Sequence, residues 1–273
     1  MTNDQPLFSS PVICCDLDGV VWRGDEPIES AVRGIERLRA EGLRVGFVSN
    51  NSSQTVADVA AKLERCGVPA SPDDVLTSAL AAARLLGESL EPGSRVLACA
   101  GPGVLHALEE VGLTPVDQPP ASAVVVGFHR NFDFDELDRA SRAVREGARF
   151  VATNLDATYP VVGGLLPGSG AITAAVATAA GCRPEVAGKP EAPMVALVRD
   201  RLGPEGVVVG DRPSSDGALA EALGWPFALV LSGVAAVPTP RGGEAIPDPP
   251  PAFVGDDLGA LVPSLLAAFA RHA

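Results

Sequence analysis

Short runs of apolar residues alternate along the chain with polar turns and with longer segments whose apolar residues recur every three or four positions. Val12–Leu17, Leu43–Ser49, Arg95–Cys99, Ala123–Phe128, Arg149–Thr153, Gly206–Gly210 and Ala228–Leu231 read as buried strands. Between the first two, Ile28–Glu41 reads as a helix, with Ala31, Ile35 and Leu38 at helical spacing and Gly42 as a stop. Thr55–Cys66 is the next helix, with Val56, Val59, Ala60 and Leu63 on one face and Gly67 after it. Pro102–Glu110 and Asp135–Glu146 read as helices too, and Asp256–Arg271 as a closing one. Val237–Pro251, rich in Pro and Gly, reads as a surface loop.

This alternation predicts an α/β fold, a mostly parallel sheet with helices on both faces. Right-handed crossovers then gather the functional loops at the carboxyl ends of the strands. The strand–helix units are many for one sheet, which predicts two α/β domains. No internal repeat of solenoid period is present.

Composition narrows the partners. Of 273 residues, 47% are hydrophobic and 20% charged, enough for a large core and against disorder. Aromatics are 4%, so that core is built from Ala, Val and Leu. The net charge of −13 repels nucleic acid and anionic lipid, so neither nucleic acid nor membrane is expected as a partner. A phosphate site on such a chain must be made positive locally by a few placed groups. Cys14, Cys15, Cys66, Cys99 and Cys182 are odd in number and form no CxxC pair, as expected of reduced thiols in a cytoplasmic protein. Met1–Ser10 carries no basic segment and no apolar run, so no signal peptide is expected, and no apolar stretch is long enough to span a membrane.

Four groups could carry chemistry. Asp16 and Asp18 end the first strand, and residues two apart on an extended chain point the same way. Two such carboxylates are costly together unless a hard cation such as Mg2+ shares them. Asp-x-Asp alone also fits nucleotide-sugar transferases. Ser49, Asn50 and Asn51 end the second strand, where a hydroxyl, an amide and free N–H groups suit a phosphate oxygen or, equally, cap a helix. Lys189, in Gly188-Lys189-Pro190, is one of two lysines against 19 arginines, which hints at a need for a compact point charge; an ordinary surface lysine is the alternative. Asp211 ends another strand and Asp216 lies five residues on at a predicted helix start, where an acid is also ordinary. Together, in this order, they point to phosphoryl transfer through an aspartate. Gly101-Pro102-Gly103 lacks the third glycine of a dinucleotide fingerprint, Gly188-Lys189 is followed by Pro rather than Ser or Thr, and Gly168-Ser169-Gly170 is no nucleophile elbow. His106, His129 and His272 are scattered and read as structural.

Asp16-Leu17-Asp18-Gly19-Val20, Ser49-Asn50-Asn51, Gly188-Lys189-Pro190 and Gly210-Asp211-Arg212 with Asp216 resemble the four motifs of haloacid dehalogenase-type phosphatases. The nearest branch is class IIA, NagD-like and p-nitrophenylphosphatase-like. Trp22-Arg23-Gly24, Gly147–Asn154 and Leu166–Gly170 match it as well. The resemblance implies a Rossmann-like core, residues 1–81 and 184–273, interrupted by an α/β cap at 82–183. It implies Asp16 as nucleophile, Asp18 as general acid/base, and Ser49, Asn50 and Lys189 as phosphate ligands. It implies Mg2+ held by the Asp16 carboxylate, the Asp18 backbone carbonyl and Asp211, with Asp216 in or near the outer shell. Asn154 and Asp156 are the cap residues expected to face the active site. Gly217 and Pro213-Ser214-Ser215 depart from the pattern and are expected to soften the metal-side loop; His129 replaces an acid common in relatives.

The expected activity is hydrolysis of a small phosphate ester such as a sugar, glycerol or nucleotide phosphate or pyridoxal phosphate, with a homodimer through the cap possible. A phosphotransferase or mutase using the same intermediate stays open. A non-catalytic phospho-ligand sensor would be expected to lack Asp16 or Lys189.

Overall fold

The computed structural model describes residues 12–161, 164–234, 244–247 and 250–270. In chain order the elements are β1 (Val12–Cys15), β2 (Trp22–Arg23), β3 (Glu26–Pro27), α1 (Glu29–Ala40), β4 (Arg44–Ser49), α2 (Val56–Arg65), β5 (Val75–Thr77), α3 (Ser78–Gly87), β6 (Arg95–Cys99), α4 (Pro102–Glu110), β7 (Thr114–Val116), β8 (Ala123–Val126) and α5 (Phe134–Arg145). They continue with β9 (Arg149–Ala152), β10 (Thr158–Val161), β11 (Gly164–Pro167), α6 (Ser169–Ala180), β12 (Glu185–Val186), α7 (Ala192–Leu202), β13 (Gly206–Gly210), α8 (Ala218–Leu223), β14 (Phe227–Val230), β15 (Phe253–Gly255) and α9 (Leu258–Ala270). Two compact units result: Met1–Val48 with Leu63–Pro69 and Val198–Ala273, and Ser49–Lys62 with Ala70–Leu197.

In the first unit β15, β14, β13, β1 and β4 stand in that order, each parallel to its neighbour. All four residues of β1 are buried, as a strand covered on both faces requires. Helices α1 and α9 pack together, with the Ser30 hydroxyl donating to Asp257 Oδ2 at 2.6 Å. The second unit holds its own parallel sheet in the order β12, β9, β8, β6, β7. Leu97, Val124, Val126 and Phe150 from that sheet pack with Ala140, Val144, Ile172 and Val176 of α5 and α6.

The predicted parallel α/β architecture is present. Three predicted spans are reproduced to the residue and most others to within two. Asp216, expected to open a helix, lies instead in a π-helical turn, Pro213–Gly217, that precedes α8. The loop predicted for 237–251 lies largely outside the described residues. Among the described residues no helix is long and apolar enough to cross a membrane.

Candidate active site

Register builds the first half of the chemistry. Cys15 of β1 is paired with Val209 of β13, and the Asp16 N–H extends that ladder by donating to the Val209 carbonyl at 2.9 Å. Asp16 and Asp211 therefore leave the same edge of the sheet from neighbouring strands. The π-helical turn brings Asp216 back to them, and its Oδ2 accepts the Arg212 N–H at 3.1 Å. One carboxylate oxygen from each of Asp16, Asp211 and Asp216 lies within 4.8 Å of the other two, and all three residues are buried. Three acids so crowded and so dry repel one another strongly unless a cation joins them. Every donor is a carboxylate oxygen, with no nitrogen or sulfur, which suits a hard divalent ion such as Mg2+.

Glycines make the close packing around these carboxylates possible. A Cβ on Gly233 would sit 1.9 Å from Asp211 Oδ2, and one on Gly210 would sit 2.3 Å from Asp216 Oδ2. The Val234 N–H donates to the same Asp211 oxygen. Gly233→Ala must therefore push the Asp211 carboxylate aside. Disturbing what orients a metal ligand typically costs about 10–100-fold in metal affinity, and we expect a Mg2+ titration of the thermal midpoint to report at least a tenfold loss. An unchanged titration would show that Asp211 holds no metal.

The loop expected to be softened makes several contacts of its own. The Ser214 N–H and hydroxyl both donate to Glu244, at 2.8 and 2.6 Å, and Arg212 pairs with Glu244 at 3.3 Å. A Cβ on Gly217 would lie 3.2 Å from the Phe227 ring, so the departure from an aliphatic residue matches a tight approach.

Asp18 is held by the residues that follow it. Its Oδ1 accepts the Trp22 indole N–H at 2.9 Å. The hairpin β2–β3 is fastened there: the Gly19 N–H donates to the Trp22 carbonyl at 2.7 Å, Arg23 Nε to the Ser232 carbonyl at 2.6 Å, and the Ser232 hydroxyl to the Gly19 carbonyl at 2.7 Å. Residue-by-residue reasoning missed Trp22 as the group that aims Asp18. The available signal was its position, four residues after Asp18, in a chain with two tryptophans.

In the second unit the structure gathers Asn50, Asn154, Asp156 and Lys189. The Asn50 side chain spends both amide hydrogens inside the protein, on Asp156 Oδ2 at 2.9 Å and the Lys189 carbonyl at 3.2 Å, while its Oδ1 accepts the Lys189 N–H at 2.8 Å. Asn154 Nδ2 and the Ser78 hydroxyl both donate to the Asn50 carbonyl, at 2.6 and 2.7 Å. The Asn154 Oδ1 in turn accepts the Asp156 N–H at 3.0 Å. Lys189 is 5% exposed, which sets it apart from an ordinary surface lysine. Ser49 Oγ accepts the Asn51 N–H at 3.0 Å. Ser78 had no signal in the local pattern.

Cysteine chemistry does not compete with these groups at Cys99. Burial first, then the charge of Glu136 and a hydrogen bond to it, push the Cys99 thiol far above its ordinary value. A thiol so held is no nucleophile at neutral pH.

Comparison with known proteins places this arrangement. The sequence profile of the haloacid dehalogenase-like hydrolases matches residues 13–114, and a second, HAD-hydrolase-like profile matches residues 186–261. The D-glycerol 3-phosphate phosphatase of Mycobacterium tuberculosis is 40% identical over 252 residues, 90% of this chain and 69% of that protein. An acid sugar phosphatase of Staphylococcus epidermidis is 34% identical over 253 residues, 92% of this chain and 96% of the relative. The solved p-nitrophenyl phosphatase from Archaeoglobus fulgidus superposes with a TM-score of 0.82 at 31% identity, covering 94% of this chain and 100% of the other. The Mycobacterium tuberculosis glycerol phosphate phosphatase in complex with magnesium superposes with a TM-score of 0.81 at 37% identity, covering 92% and 76%.

Proposed function

The chain belongs to the haloacid dehalogenase-like hydrolase family, and from that premise we propose that it hydrolyses small phosphomonoesters through an aspartyl-phosphate on Asp16. It is a phosphatase whose cofactor is Mg2+. The observation that carries the reading of the site is the buried meeting of the Asp16, Asp211 and Asp216 oxygens.

The roles follow from chemistry. The Asp16 carboxylate attacks phosphorus while Asp18, aimed by Trp22, gives its proton to the departing ester oxygen. Asp18 then takes a proton from the water that attacks the aspartyl-phosphate, which releases phosphate and restores Asp16. Held by the Asp16 carboxylate, the Asp18 carbonyl and Asp211, with Asp216 beside them, Mg2+ would offset the repulsion between the nucleophile and an anionic ester. Ser49 and the Lys189 ammonium hold the phosphoryl oxygens. Asn50, its amide hydrogens already committed, serves them by fixing the Lys189 main chain. Residues 82–183, whose strands β6–β9 pair with one another and, at β9, with β12, form the cap that chooses the substrate, with Asn154 and Asp156 as its candidate contacts.

The test is a hydrolysis screen in Mg2+ over p-nitrophenyl phosphate, glycerol 3-phosphate, sugar phosphates, nucleotides and pyridoxal phosphate. We expect turnover of p-nitrophenyl phosphate and at least one metabolite, lost in chelator and restored by Mg2+. No turnover anywhere in the panel would leave a phospho-ligand sensor as the better reading. Transfer to an added alcohol or sugar acceptor in preference to water would make it a phosphotransferase.

A further inference from the structure

A second group of metal-ligating side chains lies in the second unit. Cys99 ends β6, His129 lies in the loop after β8, and Glu136 lies in the first turn of α5. One ligand atom from each falls within 4.8 Å of the other two; Cys99 is buried and the other two half-buried. The proposed phosphatase chemistry uses none of them.

Each donor is held by its surroundings. His129 Nδ1 lies 3.2 Å from the Gly127 carbonyl. Its Nε2 lies 2.7 Å from the Glu136 carboxylate. A backbone carbonyl on one ring nitrogen is the usual support for a histidine that ligates through the other. The His129 ring meets Phe132 edge-on at 6.0 Å and 89°, which fixes its plane. The Glu136 N–H donates to Asp133, the cap of α5, at 2.8 Å, and the Gly127 N–H donates to the Cys99 carbonyl at 3.0 Å. Asp133 adds negative charge nearby and Arg139 opposes it.

We infer that Cys99, His129 and Glu136 form a binding site for a divalent transition-metal ion of the zinc type. One sulfur, one nitrogen and one oxygen suit a borderline ion, whereas the all-oxygen cluster of Asp16, Asp211 and Asp216 suits Mg2+, so the two sites select different metals. Binding exchanges the Cys99 thiol proton for the metal and releases that proton to solvent. Three protein ligands leave a fourth position for water. His129 also lines a cavity of about 270 Å3 with Phe128, Arg130, Phe132, Leu166 and Pro167, so an ion on His129 would stiffen the loop that shapes it.

The test uses the full chain with Cys66→Ser and Cys182→Ser, which remove the two thiols that are not buried, and with Asp16→Asn to weaken the carboxylate site. The protein is stripped with chelator and titrated with Co2+ as a spectroscopic stand-in, then with Zn2+ in competition. We expect a thiolate-to-Co2+ absorption band that saturates at one equivalent and is displaced by Zn2+. Cys99→Ser removes the band. His129→Gln and Glu136→Gln lower Zn2+ affinity beyond the roughly 10–100-fold that outer-shell changes cost. Circular dichroism checks the fold of each variant, and His129→Gln decides the matter if Cys99→Ser does not fold. No thiolate band, a band that survives Cys99→Ser, or unchanged affinity in a folded His129→Gln variant overturns the site and leaves a hydrogen-bonded cluster. None of these readouts depends on phosphatase activity.

Discussion

Asp16→Asn is expected to lower turnover of every phosphate ester by at least about 10⁴-fold, the scale on which loss of an attacking nucleophile is felt. At about 1.4 kcal/mol per decade, that is a barrier raised by more than 5 kcal/mol. An amide has the shape of the carboxylate but not its charge or nucleophilicity. The backbone bond from Asp16 N–H to Val209, at 2.9 Å, is untouched, so the strand stays in place. Thermal melting separates this from misfolding. In chelator the Asn variant is expected to melt no lower than the parent, since one of three crowded charges is gone. Its gain in midpoint on adding Mg2+ is expected to shrink. An Asn variant that turns over at the parent rate would refute the aspartyl-phosphate route, and one that melts far lower in chelator would mean the loss is structural.

Asp18→Asn is expected to cost about 10²–10⁴-fold, the usual worth of general acid–base help, but unevenly across substrates. An alkoxide leaves only with a proton, whereas p-nitrophenolate leaves without one. The loss in kcat/KM, which reports the first chemical step, is therefore expected to be much larger for glycerol 3-phosphate than for p-nitrophenyl phosphate. With the aryl ester, hydrolysis of the aspartyl-phosphate then lacks its base, so a burst of p-nitrophenol should precede slow turnover. Equal losses for alkyl and aryl esters, with no burst, would take the proton-shuttle role away from Asp18. Trp22 matters here because its indole N–H, 2.9 Å from Asp18 Oδ1, orients the carboxyl group.

Much of this was legible in the sequence, for physical reasons. Strands β1, β8 and β13 are unbroken apolar runs because both their faces are covered, so their ends, and hence Asp16 and Asp211, could be found. That Asp16 and Asp211 meet depends on strand order, which sets β13 beside β1. No local pattern encodes that pairing; it came through family resemblance. Helix α6 was missed because its alanines lie on all sides and leave no clear helical period. The hairpin β2–β3 was missed because its strands have two residues each. The Asn50 side chain suggested a phosphate ligand, but its partner Lys189 lies 139 residues away, and that backbone bond is invisible in sequence. His129 read as structural for the same reason: Cys99 and Glu136 become its neighbours only when β6, β8 and α5 are assembled.

The pairing of β1 with β13 also has a consequence for how the chain is made. Val12 finds its β4 neighbour at Arg44, but its β13 neighbour begins at Gly206. On the ribosome, one side of an apolar strand waits on the order of ten seconds or more for its partner at ordinary synthesis rates. The second unit, whose sheet draws on residues 95–186, is complete in sequence before β13 emerges. The carboxylates that must meet to hold a metal are thus brought together among the last events of folding, by a contact of long sequence separation.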